Sequence, residues 1–525
     1  MSEKGVVSNV HEIVLKLPSH EKAAVRAYLG LTNENRGAKP AKIIALFDYL
    51  DSLKADHGKA DEEIEIIIYK TPNKVAFRRL LWRLREKILE VILFDINVER
   101  SGVYSERVKA NIAVRKNVSQ AQILQGWGLR KQAENILVRT VDLCEKYEMY
   151  HELLLALSLL IEQRVVENGD NELEFLLEKY KKYNFCQNAV LNAEVYYHKV
   201  HLDVELRSEG LMTPEVLRKI LDDLSEDHFQ SGSVQVAYYY YNIEAQYHQS
   251  LRNYQSAMKS LLNIKEIFDK GSPINIPCRI GGVLLNLADN DLYLCQFERA
   301  YVTAEEGMRS FHNGNFNYEQ GIELQFYAKF YSGEYEVAIN ILSQAKTKVR
   351  NSNDFRKGKR AFLLANAFFM IKDYITVLKY LAVINPIESD REGWNLGVKI
   401  LQIITLIEQH ESDEATAKID ALRKFIESGE TKNHRAQIIC QILVSLTYNG
   451  FDFKEVFLTA KGLLEMLGEK SGALAWKIKS PEMVIFHQWF FAKTTKQPFE
   501  LKLTSFQLER NKQKRKKTII KQEKK

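Results

Sequence analysis

Residues 324–345 read LQFYAKFYSGEYEVAINILSQA. Leu324, Tyr327, Ala328 and Tyr331 fall at i, i+3, i+4 and i+7, the spacing of one helix face. Ser332 and Gly333 then break the pattern. From Tyr335 a second helical pattern starts, with Ala338 three residues on. The stretch therefore predicts two short helices joined by a tight turn. Neither helix can bury its apolar stripe alone, so each needs a neighbour.

The neighbours are written along the chain. LRNYQSAMKSLL, LCQFERAYVTAEE and IKDYITVLKYLAVI repeat the second half of the motif. Each carries an aromatic followed three residues later by a small or apolar residue. The pairs are Tyr254/Ala257, Phe297/Ala300, Tyr335/Ala338 and Tyr374/Val377, with aromatics 43, 38 and 39 residues apart. A further step lands near Glu414 in ESDEATAKIDAL, and the next on Phe453/Val456. A recurring period of roughly 20–50 residues is the signature of a stacked repeat array.

These residues resemble the tetratricopeptide repeat. Leu284, Leu287, Ala288, Phe297 and Ala300 fit its spacing. So do Leu324, Tyr327, Ala328, Tyr331, Gly333, Tyr335 and Ala338, with a turn two residues shorter. ILQGWGLRKQAENILVRTVDLCEKYE is similar to an earlier, degenerate member, with Gly128 and Ala133. The period near 39 exceeds the family's roughly 34 residues, which implies longer helices and a different winding. The resemblance covers about residues 115–470 and is best between 234 and 384. It implies an all-α fold, a right-handed α-solenoid of stacked two-helix units, and binding of another protein or peptide rather than catalysis.

Composition agrees with many helices. The chain has 525 residues, with only 9 prolines and 25 glycines. That scarcity disfavours a turn-rich β protein. Four parts are expected: a helical N-terminal domain or cap at 1–100, the solenoid at 101–470, a C-terminal cap at 471–506 and a disordered basic tail at 507–525. Phe486, Trp489, Phe490, Phe491 and Phe499 would supply the cap's apolar cover. The net charge of +6 is a tail property. RNKQKRKKTIIKQEKK, residues 510–525, holds nine Lys/Arg against one Glu. Such a tail is solvated, or makes a weak nucleic-acid or anionic-surface contact. No apolar signal segment and no run of about 18 apolar residues is visible, so no membrane span is expected. Cys144, Cys186, Cys278, Cys295 and Cys440 are scattered and form no metal or redox pair, as in a reduced cytoplasmic protein. The Lys/Ile/Asn-leaning style is that of a bacterial chain.

No phosphate-loop, dinucleotide, metalloprotease or hydrolase-elbow signature occurs, and no cofactor is expected. One row of ligand-type residues remains. Glu194, His198, His201 and Glu205 lie within about 60° of one line along a helix. They could hold a divalent ion, or form an ordinary solvated stripe with i,i+4 pairs. In the N-terminal region, Phe77, Leu80, Leu81, Leu84, Ile88 and Val91 share one helix face. Arg78, Arg79, Arg83, Arg85 and Lys87 lie off it. TPNKVAFRRLLWRLREKI is faintly similar to the recognition helix of winged-helix bacterial regulators. That likeness implies an alternative, a regulator whose solenoid senses a peptide or protein and whose N-terminal domain acts on DNA or a second protein.

Within VQVAYYYYNIEAQYHQS, Tyr238, Tyr240 and Tyr241 read as packing residues. Tyr239 aligns with Asn242, Gln246 and Gln249. If Ala245 is the repeat's small residue, the resemblance puts these four at groove-lining positions. The same positions elsewhere give Asp289, Gln325 and Lys329. Such a groove would hydrogen-bond an extended peptide. It lacks the Lys/Arg run that clamps an acidic C-terminus.

Overall fold

The structure is a computed structural model. It describes residues 6–31, 42–53, 61–94, 105–168, 170–206, 212–312, 315–344, 354–386, 390, 393–428, 433–469, 472, 474–501 and 503. The basic tail and residues 95–104 lie outside them. Among the described residues all regular structure is α-helical, with no strand. The chain divides into two compact units, residues 1–109 and 110–525.

The first unit contains α1 (Val6–Lys16), α2 (Ser19–Leu31), α3 (Lys42–Ser52), α4 (Asp61–Tyr69) and α5 (Lys74–Phe94). The sequence suggests three or four helices here; α1 is the addition. Val10, Val14 and Leu17 anchor it in a core shared with Val25, Leu29, Phe47 and Ile64. The predicted apolar face of α5 is buried throughout, from Phe77 to Val91.

The second unit begins with α6 (Glu106–Gly126), α7 (Arg130–Lys146), α8 (Tyr150–Asn168), the 37-residue α9 (Asp170–Leu206) and α10 (Pro214–Ser231). Six hairpins follow. They are α11 (Val234–Ser250) with α12 (Tyr254–Asp269), and α13 (Pro277–Tyr293) with α14 (Phe297–Met308). Next come α15 (Phe316–Tyr331) with α16 (Tyr335–Gln344), and α17 (Asp354–Met370) with α18 (Tyr374–Ala382). The last are α19 (Trp394–Glu408) with α20 (Ser412–Glu427), and α21 (His434–Tyr448) with α22 (Phe453–Thr459). α23 (Lys461–Leu467) and α24 (Phe486–Thr495) close the unit. This is an all-α stack of tetratricopeptide-like helical hairpins.

The repeat signature has a local cause. Tyr254, Phe297, Tyr335, Tyr374 and Phe453 are each the first residue of a second helix. Three residues on, Ala257, Ala300, Ala338, Val377 and Val456 are all fully buried at 0% exposure, as is Ala415. A small side chain there lets the second helix approach its neighbours closely. The aromatic reaches the next unit: Tyr254 stacks on Tyr293 at 4.5 Å, and Phe297 lies 6.1 Å from Tyr331.

The turns share one backbone solution. Gly128, Glu148, Arg252, Cys295, Gly333, Lys372, His410 and Phe451 all have φ between 48° and 88°, and each stands two residues before the next helix. Each allows the double hydrogen bond that ends a helix in a left-handed residue. At Arg252, its N–H donates to Gln249 O at 2.8 Å and the next N–H, from Asn253, donates to His248 O at 2.8 Å. The same pair recurs at Lys372 and Asp373, both at 3.0 Å. Asn253, Asp373 and Asp452 then cap the following helix by accepting backbone N–H bonds. Only two of these eight positions are glycine, so the turn is hard to see as a Gly motif.

α24 packs at the far end. Phe486, Trp489 and Phe490 are fully buried, and Trp489 Nε1 donates to Glu408 Oε1 at 2.7 Å. Phe491 is 53% exposed and Phe499 is partly buried. The chain reaches α24 by an indirect route, and that route makes the site.

Candidate functional site

Between α23 and α24 no regular helix forms. Residues 474–485 cross the face made by the first helices of the hairpins as irregular chain, with a turn at 477–480 in which Lys479 has φ 61° and the Ser480 N–H donates to Lys477 O at 3.2 Å. Every side chain that grips them from α13 to α21 belongs to a first helix. The sequence reading missed this, because it took residues 471–506 for an end cap alone.

The grip starts at backbone groups. Arg252, in the turn after α11, donates through Nη1 to Gly472 O at 3.2 Å. Arg435 on α21 donates through Nη1 to Leu467 O at 2.8 Å and Leu474 O at 2.7 Å. The Lys479 N–H donates to the Tyr331 hydroxyl at 3.2 Å. Side chains supply the register. The Trp476 ring meets Tyr331 edge-on at 5.8 Å, and its Nε1 donates to Glu482 O at 2.6 Å. Lys479 Nζ donates to Asp289 Oδ1 of α13 at 2.6 Å. Its ammonium also lies 5.8 Å from the Tyr293 ring centroid and 5.9 Å from that of Tyr327. Burial pulls the Lys479 pKa down, but the Asp289 carboxylate and its hydrogen bond outweigh this and hold it above the usual lysine value. Burial likewise pushes the Tyr331 hydroxyl well up, so it stays neutral.

Two residues on, Pro481 fits against Gly397 of α19. A Cβ at Gly397 would stand 2.7 Å from Pro481 O and 2.8 Å from its Cβ, so only glycine fits. Glu482 then forms a two-pronged ion pair with Arg435, with Nη2 donating to Oε1 at 2.9 Å. Both side chains are only 11% exposed. His487 follows, with Nδ1 3.4 Å from Arg435 Nη2. Burial, and then the Arg435 charge, push its pKa down to about 4. A carboxylate on one first helix and a guanidinium on another thus read a cation and an anion three residues apart.

The residues singled out in the sequence do not form one open groove. Tyr239, Asn242 and Gln325 are buried, at 5%, 4% and 8% exposure, and cannot meet a partner in this state. Tyr239 lies against Tyr197 of α9 at 5.1 Å, and its hydroxyl accepts from Arg279 Nη2 of α13 at 3.5 Å. The long α9 covers the side of α11 that the repeat register leaves open. Tyr240 and Tyr241, expected to pack, are only partly buried and flank His228 at 4.8 and 5.3 Å. Gln246 turns to His201 at 3.4 Å, and Gln249 is half-buried. Lys329 is tied to Glu298 at 3.2 Å and Glu334 at 3.0 Å, towards the second helices. Of the seven, Asp289 is the one bonded to the 474–485 segment.

Nor do the metal-type residues assemble. His198 pairs with Glu194 at 3.6 Å on an exposed surface. His201 meets the Tyr197 ring edge at 4.1 Å instead. The Glu205 side chain lies outside the described residues. Among those described, no group of three His, Cys, Asp or Glu is placed to hold a metal.

No family model matches the chain, and no curated protein matches it. Among solved structures, one similar chain is a signal transduction ATPase with numerous domains (STAND) that carries a tetratricopeptide repeat sensor, from Pyrococcus horikoshii. It is 15% identical, the alignment covers 90% of this chain and 66% of that one, and the TM-score is 0.28. The chain thus spans just under two thirds of that protein. The likeness is too loose to add to the hairpin geometry above.

Proposed function

We propose that the second unit is a non-catalytic scaffold that binds an extended peptide or protein segment across the face made by its first helices. One observation carries this reading: the face already holds a non-helical segment, residues 474–485, by hydrogen bonds from side chains to its backbone and by side-chain subsites. Side-chain donors and acceptors aimed at an extended backbone, with pockets for selected side chains, are how a peptide is recognised. No helix among the described residues is long and apolar enough to cross a membrane. Five scattered cysteines with no disulfide among the described residues suit a reducing compartment such as the cytoplasm.

The test is selection of displayed 15-residue peptides against the full chain. Bound peptides should weaken at least ten-fold on Asp289→Lys or Arg435→Glu. Binders indifferent to every substitution on α13, α15, α19 and α21 would sink the reading.

A second reading rests on α5. Arg78, Arg79 and Arg83 are exposed around Trp82, itself 61% exposed. This basic ridge favours a regulator whose first unit contacts nucleic acid or an acidic protein. Salt-dependent binding to random duplex, lost on replacing the three arginines by glutamine, would support it. No binding at about 50 mM salt would remove it.

A further inference from the structure

The chemistry of the segment on the first-helix face describes what else that face would accept. Its hold depends on groups that are costly to place inside a protein for stability alone. Lys479 meets a carboxylate between two tyrosine rings, and Glu482 meets a guanidinium. Replacing such pairs by apolar side chains is often neutral or stabilising, so their use here speaks for register and selectivity. The four subsites differ from one another: a ring edge at Tyr331, an acid at Asp289, a bare backbone notch at Gly397 and a base at Arg435. Together they read one sequence in one direction. Apolar burial adds to this hold: Ala475 and Ile478 within the stretch are buried, and so are Met483, Val484 and Ile485 just before α24.

We infer that residues 474–482 are an in-cis occupant of a peptide channel, displaced by a partner peptide of the same chemistry. That chemistry is an aromatic residue, a lysine three positions later, then proline and a carboxylate at the next two alternate-and-adjacent positions, as in Trp476, Lys479, Pro481 and Glu482. This inference rests on the peptide-binding reading above and adds the class of partner and the way the site is kept closed. The segment folds on itself at two points, Ser480 N–H to Lys477 O at 3.2 Å and Trp476 Nε1 to Glu482 O at 2.6 Å, so a peptide of the same sequence can make the same turn and satisfy the same donors and acceptors in its place.

The experiment uses the full chain and a fluorescein-labelled peptide spanning Leu474–Phe486, read by fluorescence anisotropy. Lys479→Glu sets two carboxylates against each other and should release the segment, raising peptide affinity at least ten-fold over the unaltered protein. Adding Asp289→Lys to that variant should abolish the gain. The swapped charges pair again in cis and close the channel, so a peptide with glutamate at its Lys479 position should not restore it. Native circular dichroism with no gain in affinity for Lys479→Glu overturns the inference. Because that variant could fail to fold, hydrogen exchange on the unaltered protein provides a second readout. Amides of 474–482 should exchange at least ten-fold faster than those of α13 and α15. Equal protection would make the segment a fixed part of the core and overturn the inference. If selected peptides of other chemistry bind through Asp289 and Arg435 while the segment peptide does not, this inference falls and the peptide-binding reading stands. If no peptide of any kind binds the Lys479→Glu protein, both fall.

Discussion

The second helices and the first helices of the hairpins follow opposite rules. On the second helices one position is filled by Ala257, Ala300, Ala338, Val377, Ala415 and Val456, always small or β-branched and always fully buried. On the first helices, the residues that face the 474–485 segment are of several kinds: Asp289, Gly397 and Arg435, beside the tyrosines Tyr293, Tyr327 and Tyr331. Where units stack on one another, the same contact recurs and the same residue class solves it. Where the stack meets a single non-repeating segment, the units see different residues, and the contact residues include an acid, a base and a glycine as well as tyrosines. Repetition marks the packing between units, and variation marks the contact with residues 474–485.

The largest effect should come from breaking the stack. Phe330 is fully buried and packs against Phe326 at 5.7 Å and Tyr335 at 5.5 Å. Phe330→Ala should cost about 3–5 kcal/mol in urea unfolding of the second unit, because the cavity cannot collapse within a stacked array. A loss below about 1 kcal/mol would mean that the hairpins pack less tightly than this.

Arg435→Met should come next. It strands Glu482 and two backbone carbonyls, and roughly 2–4 kcal/mol is expected. Limited proteolysis should show new cleavage within 474–482 before α13 or α15 is cut. Uniform cleavage along the unit would erase the distinction between stack and segment.

A smaller effect should appear with pH. His487, held at about 4, ordinarily titrates near 6.5. Its folded value is depressed, so the stability it permits is complete above 6.5 and is lost as pH falls from 6.5 towards 4. The charged groups facing it are Arg435 and, through Arg435, Glu482. Unfolding at pH 5 should be easier than at pH 7 by roughly 1–2 kcal/mol. His487→Gln should flatten that slope; an unchanged slope would show that other groups set it.

The smallest effect concerns the turns. Lys372 has φ 64°, in the left-handed region that favours glycine. Lys372→Gly should stabilise by about 0.5–1 kcal/mol, measured by the shift in urea midpoint. A loss of stability would mean that the lysine side chain contributes more than its backbone strain costs.

Much of the fold was legible because it is local. The aromatic at each second-helix start, and the residue three positions on, reported the hairpins directly, since i to i+3 contacts are set by helix geometry alone. The apolar face of α5 was legible for the same reason. The candidate site was legible only at Asp289. Tyr239 has the right periodicity for a groove and is buried, because α9 lies over it. Trp476, Lys479, Pro481 and Glu482 have no periodicity that could announce them. Their meaning depends on partners such as Asp289, 190 positions away in sequence.

By itself, then, the amino-acid sequence determined the helices, the hairpin register and the buried small residues, all consequences of contacts within one turn of helix or between adjacent units. Only the tertiary structure decided which face is open and what lies on it. An irregular segment has no period of its own, and its position is set by charge pairs and a glycine notch on helices that the stack brings into line.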